Sequence, residues 1–163
     1  MSGKSSKQFY FETQLNWLTD AKGILMAKGA AGALHVGMAP QFGGEGKPWT
    51  PEHLFLSSLS SGFMTTYLLY ARKLHFEISG FSCDAIGQIE ITDGKYKFTT
   101  INLYPKVFIA DETLRDKANL AMEKTHWNCL VANSVNAAIF YHSVVCLNKV
   151  SEKLKTDLYE HSS

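Results

Sequence analysis

Cysteine is scarce in this sequence: Cys83, Cys129 and Cys146 are the only three among 163 residues. The count is odd and no Cys-x-x-Cys spacing occurs, which excludes the disulfide framework of a small secreted domain. Charge of one sign is missing too. The formal net charge is +1, so nothing electrostatic favours nucleic acid or an acidic membrane surface. The one short basic cluster, Arg72-Lys73, reads as a solvated helix end. No apolar run reaches the ~18 residues that span a bilayer. No apolar stretch follows Met1-Ser2-Gly3-Lys4, so no secretory leader is expected. Repeats, linkers and low-complexity stretches are absent. The expectation is a cytoplasmic protein with no cofactor and with neither nucleic acid nor membrane as partner.

What is present suffices for one core. Apolar residues make up 45% and charged residues 19%, the balance of a globular chain. The length fits a single domain over residues 1–163, with an ordered core at about 9–147 and a C-terminal tail at about 148–163.

Phe9, Phe11, Thr13, Leu15 and Trp17 share one parity and predict a half-buried strand over 9–18. Asp20-Ala21-Lys22-Gly23 is turn chemistry, Ile24 to Lys28 a returning strand, and Leu34 to Met38 a third. After a Gly/Pro-rich loop, Thr50 is a natural N-cap, Pro51 fits the first helical position and Glu52 suits the positive end of the dipole. With no breaker before Gly80, the helix is expected to run to near His75, on the order of 37 Å. Its middle is crowded with Ser57, Ser58, Ser60, Ser61 and Gly62. It carries almost no charge between His53 and Arg72, which predicts a helix buried on every side. Phe81 to Thr92 and Lys95 to Ile109 read as a hairpin around Asp93-Gly94, with Pro105 marking a bulge or an edge. Asp111 caps a second helix running to Glu123 or His126, a third spans Cys129 to Ala138, and Ile139 to Leu147 is a last strand. This order is α+β rather than repeated βαβ.

Several chemistries are open to these residues. A helix starting at Cys129 would favour its thiolate, and a protonated His126 would add to that. The alternative is an inert, buried thiol. Zinc held by His126, Cys129, His142 and Cys146 fails on geometry, because a strand holds the last two roughly 13 Å apart. His53 beside Ser57 lacks a nucleophile elbow. The loop Gly43-Gly44-Glu45-Gly46-Lys47 lacks the phosphate-loop spacing.

Two segments together resemble the OsmC/Ohr family of osmotically inducible and organic-hydroperoxide-resistance proteins. Thr50-Pro51-Glu52-His53-Leu54-Phe55 and the small-residue helix after it resemble the family's "NPEELF…C" segment. Glu123-Lys124-Thr125-His126-Trp127-Asn128-Cys129-Leu130-Val131-Ala132-Asn133 resembles its second segment, roughly "EKAHxxCPVSN". The resemblance implies an intertwined homodimer in which two antiparallel-rich sheets wrap central helices, with sites at the subunit interface. It also implies peroxide reduction by two cysteines, one oxidised to sulfenic acid and the other condensing with it. Residue by residue, the family's glutamate falls on Glu52 and its resolving cysteine on Cys129. Its peroxidatic cysteine falls on Gly62, where there is no thiol. The arginine that the family places in an N-terminal loop is missing, with Lys22 nearest in kind. The two-cysteine cycle cannot run as written. The resemblance then implies either a hydroperoxide reductase dependent on Cys129 alone, or a non-catalytic dimer. The dimer would bind a small apolar ligand at an interface pocket lined by Phe55, Phe63, Tyr67 and Trp127, or be a structural dimer whose site residues drift.

Overall fold

The computed structural model describes residues 7–147; the expected C-terminal tail lies outside them. Among the described residues no helix is long and apolar enough to cross a membrane. The architecture is the expected α+β one, with two separate sheets. The chain divides into two compact units, one on each side of the Phe55–Leu56 bond.

The first unit holds an antiparallel sheet of β1 (Thr13–Thr19), β2 (Lys22–Ala27) and β3 (Leu34–Gly37), in that order. Asp20 makes the β1–β2 turn at φ 48°. The alternation at Phe9 and Phe11 overshoots the strand. β1 begins at Thr13 because Thr13 pairs with Ala27, where β2 ends. All seven β1 residues are exposed, not half-buried as the alternation predicts. The glycine-rich loop folds back so that Glu45 reaches Lys22 at 2.7 Å.

The first helix, α1 (Pro51–Lys73), starts in this unit and continues in the other. Its start is capped as predicted. Thr50 Oγ1 accepts from the His53 N–H at 3.3 Å, and the Thr50 N–H donates to His53 Nδ1 at 3.3 Å. That reciprocal arrangement satisfies two N–H groups left over at the helix start.

In the second unit α1 buries one stripe, Leu59, Phe63, Tyr67 and Ala71, at the four-residue spacing of one helix face. It is not enclosed all round in the single chain. Ser61, Thr65 and Leu69 lie exposed on another face. The hydroxyls of Ser60, Ser61, Thr65 and Thr66 turn back to carbonyls three or four residues earlier. A serine-rich helix can thus bury its polar groups without outside partners.

The second sheet is built on β5 (Lys95–Ile109), which pairs antiparallel with β4 (Gly80–Thr92) across the Asp93-Gly94 turn. Both turn residues have positive φ, 53° and 72°, which is why that dipeptide closes the hairpin. The bulge falls at Thr99, where the register shifts between Gln88 and Ile89; Pro105 pairs in register with Cys83. The last strand is two strands. β6 (Ala138–Tyr141) runs parallel to Thr100–Leu103, and β7 (Val144–Leu147) runs parallel to Lys106–Ile109. The break at His142-Ser143 falls opposite Tyr104-Pro105, where proline offers no N–H to a neighbouring strand.

Asp111 Oδ1 accepts from the Thr113 N–H at 2.8 Å and opens a 3-10 turn, Glu112–Leu114, that leads into α2 (Arg115–Asn128). The third helix, α3 (Leu130–Asn133), is a single turn and does not reach Ala138.

Candidate functional site

The second unit brings Gly62 and Cys129 together. Helix α2 stops at Asn128, and Cys129 leaves the helical range at ψ 112°. The Cys129 N–H still donates to Thr125 O at 3.0 Å, and Cys129 O accepts from Asn133 N at 3.0 Å. Asn133 Nδ2 donates to Trp127 O at 3.0 Å and closes the turn from outside. These bonds fix the thiol, which has no exposed surface. A Cβ placed on Gly62 would stand 3.7 Å from Cys129 Sγ. It would also stand 2.9 Å from Val131 Cγ2, closer than real Cβ atoms approach, so Val131 holds the space that a side chain at 62 needs. On either side of the buried sulfur, Trp127 and Leu130 are 82% and 74% exposed.

The expected electrostatic help for a Cys129 thiolate is weak. α3 has four residues, so few peptide dipoles add up behind the sulfur. His126 lies in an aromatic slot, its ring stacked on Tyr141 at 4.4 Å and tilted against Phe63 at 5.5 Å. Its Nε2 is 3.0 Å from Ser143 Oγ. Burial lowers the His126 pKa despite the opposing charge of Glu123, so the ring is neutral at neutral pH. Arg115 is held by Glu112 and donates to Val145 O at 2.9 Å, and Arg72 is exposed on α1.

Cys83 lies on the face of β4 that meets α1, between Phe81, whose ring is 6.0 Å from that of Tyr67, and Gly87, which lies against Leu56. Burial pushes its thiol up to about 11, so it is protonated at neutral pH. Cys146 is half-buried in β7. Among the described residues no group of three or more His, Cys, Asp or Glu side chains is placed to hold a metal ion.

In the single chain the four aromatics expected to line an interface pocket differ in burial. Phe63 and Tyr67 are fully buried; Phe63 packs on His126 and Tyr141, and the Tyr67 hydroxyl donates to Ala118 O at 3.2 Å. Trp127 points out to solvent, and Phe55 is half-buried. A cavity of about 340 Å³ lies in the first unit, with Trp17, Val36, Met38 and Phe42 among its walls and Glu52 in its lining. Glu52 Oε2 is buried and has no hydrogen-bond partner. Nothing in the local sequence marks Tyr141 or Ser143 as site residues, and Val131 stands only within the family segment. Only the bend at Cys129 and the break between β6 and β7 bring them to the site, and neither leaves a periodic signal.

A sequence model of the family described as OsmC-like protein matches residues 44–142. No curated protein sequence matches the chain. Among solved structures, an OsmC-like protein of unknown function from Vibrio cholerae is similar at a TM-score of 0.71 and 19% identity, covering 84% of this chain and 100% of its own. An organic hydroperoxide resistance protein OsmC from Legionella pneumophila is similar at 0.67 and 17% identity, covering 87% and 100%. An organic hydroperoxide resistance protein from Elizabethkingia anophelis is similar at 0.67 and 17% identity, covering 87% and 99%.

Proposed function

Because this chain belongs to the OsmC-like protein family, we propose that it serves the response to organic hydroperoxides as a one-thiol protein, through Cys129. The observation that carries this reading is the approach of Cys129 Sγ to the backbone of position 62, within 3.7 Å of a Cβ built there. The second thiol position of the family is retained, facing the place where the first would be.

The chemistry then runs on one sulfur. The Cys129 thiol gives up its proton, and the thiolate attacks the outer oxygen of a hydroperoxide. The O–O bond breaks and sulfur keeps the outer OH as sulfenic acid. The departing alkoxide takes up a proton equivalent to the one the thiol released and leaves as the alcohol. With no thiol at position 62 to condense with it, an external thiol releases water and forms a mixed disulfide. A second external thiol opens that and restores Cys129. Turnover is slow on this reading. The sulfur has no exposed surface, the neutral His126 supplies no charge, and peroxide reaches Cys129 only when the packing around it opens.

The same reading places the protein in the cytoplasm as a homodimer. The exposed Ser61, Thr65 and Leu69 face of α1 supports a second helix lying against it, since small residues let backbones approach closely. Trp127 and Leu130, exposed beside Cys129, are further apolar surface for such a partner.

Consumption of an organic hydroperoxide, measured with monothiol and dithiol reductants, tests the proposal. Mass spectrometry should find a sulfenic-acid trapping adduct on Cys129, and Cys129→Ser should lose both adduct and turnover. Equal consumption by wild type and Cys129→Ser would end it.

A further inference from the structure

The cavity of the first unit has a built chemistry of its own. Its volume of about 340 Å³ falls at the lower end of small-molecule pockets. Its walls are largely apolar. Leu15, Val36, Met38 and Phe42 contribute hydrocarbon and aromatic surface. Trp17 uses its one polar atom elsewhere, with Nε1 donating to Asp20 O at 2.9 Å.

Its charges are arranged one way. Glu52 Oε2 is buried in the lining without a donor. A buried acceptor with no partner is expensive, and a charged one more so. No arginine occurs in residues 1–55. The cation at the cavity, Lys22, is already taken by Glu45 at 2.7 Å, and that ion pair raises its pKa. Asp20, the other charged residue of the lining, is also an acid. The lysine of the lining is therefore already paired, and Glu52 offers an acceptor that nothing in the lining satisfies. An anionic ligand would meet a carboxylate with nothing to balance it.

We infer that this cavity binds an apolar molecule carrying one protonated amine, with the ammonium on Glu52 Oε2 and the hydrocarbon against Trp17, Val36 and Phe42. The ammonium supplies both the missing donor and the missing charge. An alcohol of the same length supplies only the donor, and a carboxylate neither. The assignment rests on residues of the first unit alone and not on the reading of Cys129.

Titration calorimetry of the full chain with n-hexylamine, n-hexanol and n-hexanoate tests the assignment. Hexylamine should bind at least tenfold more tightly than hexanol, and hexanoate should show no binding. In Glu52→Gln the amine should fall to the affinity of the alcohol. Equal affinities for amine and alcohol in wild type, or an undiminished preference in Glu52→Gln, overturns the inference, as does no binding at all. A carbon-13 label on the glutamate carboxyls gives a reading without substitution, should Glu52→Gln fail to fold. Hexylamine must move one carboxyl resonance that hexanol leaves in place, and failure to do so also overturns it. Cys129→Ser should bind hexylamine as wild type does, so this site and the thiol reading fail separately.

Discussion

Restoring a thiol at position 62 is the most demanding test of the site geometry. In a disulfide, the Cβ of one cysteine lies ~3 Å from the sulfur of the other, given an S–S bond near 2.04 Å. A Cβ on Gly62 stands 3.7 Å from Cys129 Sγ, so Gly62→Cys needs only a sub-ångström adjustment to close the bond. The obstacle is Val131, whose Cγ2 stands 2.9 Å from the same Cβ. Overpacking of this kind costs about 1–3 kcal/mol, against a few tenths regained by removing glycine from a helix interior. Val131→Ala removes the offending methyl, at about 1–2 kcal/mol for a half-buried side chain. The two substitutions should therefore be coupled. In denaturant unfolding of the reduced proteins, Gly62→Cys/Val131→Ala should be at least 1 kcal/mol more stable than the sum of the single changes predicts. On oxidation, the bond would close a loop of roughly 67 residues, worth about 4 kcal/mol by chain entropy. Thiol titration in denaturant should find three free thiols in wild type, and in the oxidised double variant two of four. Independent single effects together with four free thiols after oxidation would refute the claim that position 62 faces the sulfur of Cys129.

Other expectations follow from the same structure. His126 has its pKa lowered by burial, so the unfolded chain binds the proton more tightly. Its contribution to stability is whole above the unfolded value near 6.5 and is lost as pH falls through the folded one. Denaturant midpoints of His126→Gln should fall less than those of wild type across that window, and identical pH profiles would exclude it. Alkylation of Cys83 in the native protein, followed by mass spectrometry, should be slow at pH 7 and climb steeply towards pH 11, following the pKa of about 11 set by burial; rapid labelling at pH 7 would contradict this. Thr50→Ala removes the α1 cap and should cost about 1 kcal/mol in chemical unfolding; no loss would mean that the cap adds nothing.

Local signals in the sequence carry much of this fold. The start of α1 is written in Thr50-Pro51-Glu52, and the β4–β5 hairpin in Asp93-Gly94. What escapes is set at a distance. The gap between β6 and β7 is invisible in the apolar run Ile139–Leu147 because it answers to Pro105 on the neighbouring strand. The end of α1 at Lys73 is set by His75 turning left-handed at φ 55°, a task that glycine usually marks and does not mark here. At the site, the residues alone leave Cys129 open between a reactive and an inert thiol, and only the family likeness singles out Gly62. The orientation of His126 was not legible, since Tyr141 and Ser143 reach it from another element. Of the four aromatics read as pocket lining, Phe63 and Tyr67 are buried in the single chain and Trp127 is exposed. The cavity beside Glu52 in the first unit has no periodic signal in the sequence, because turn, strand and helix-start residues meet only in the fold.

The split between β6 and β7 has a consequence for how the second sheet meets other chains. Its two margins are unequal. On one side the backbone is offered in two four-residue pieces parted by a kink, too short to template an incoming strand. On the other, β4 runs unbroken for 13 residues, and among the described residues β5 is its only neighbour. Edge-to-edge growth of this sheet therefore has a single direction, and a lysine or proline placed on the outer edge of β4 would be enough to stop it.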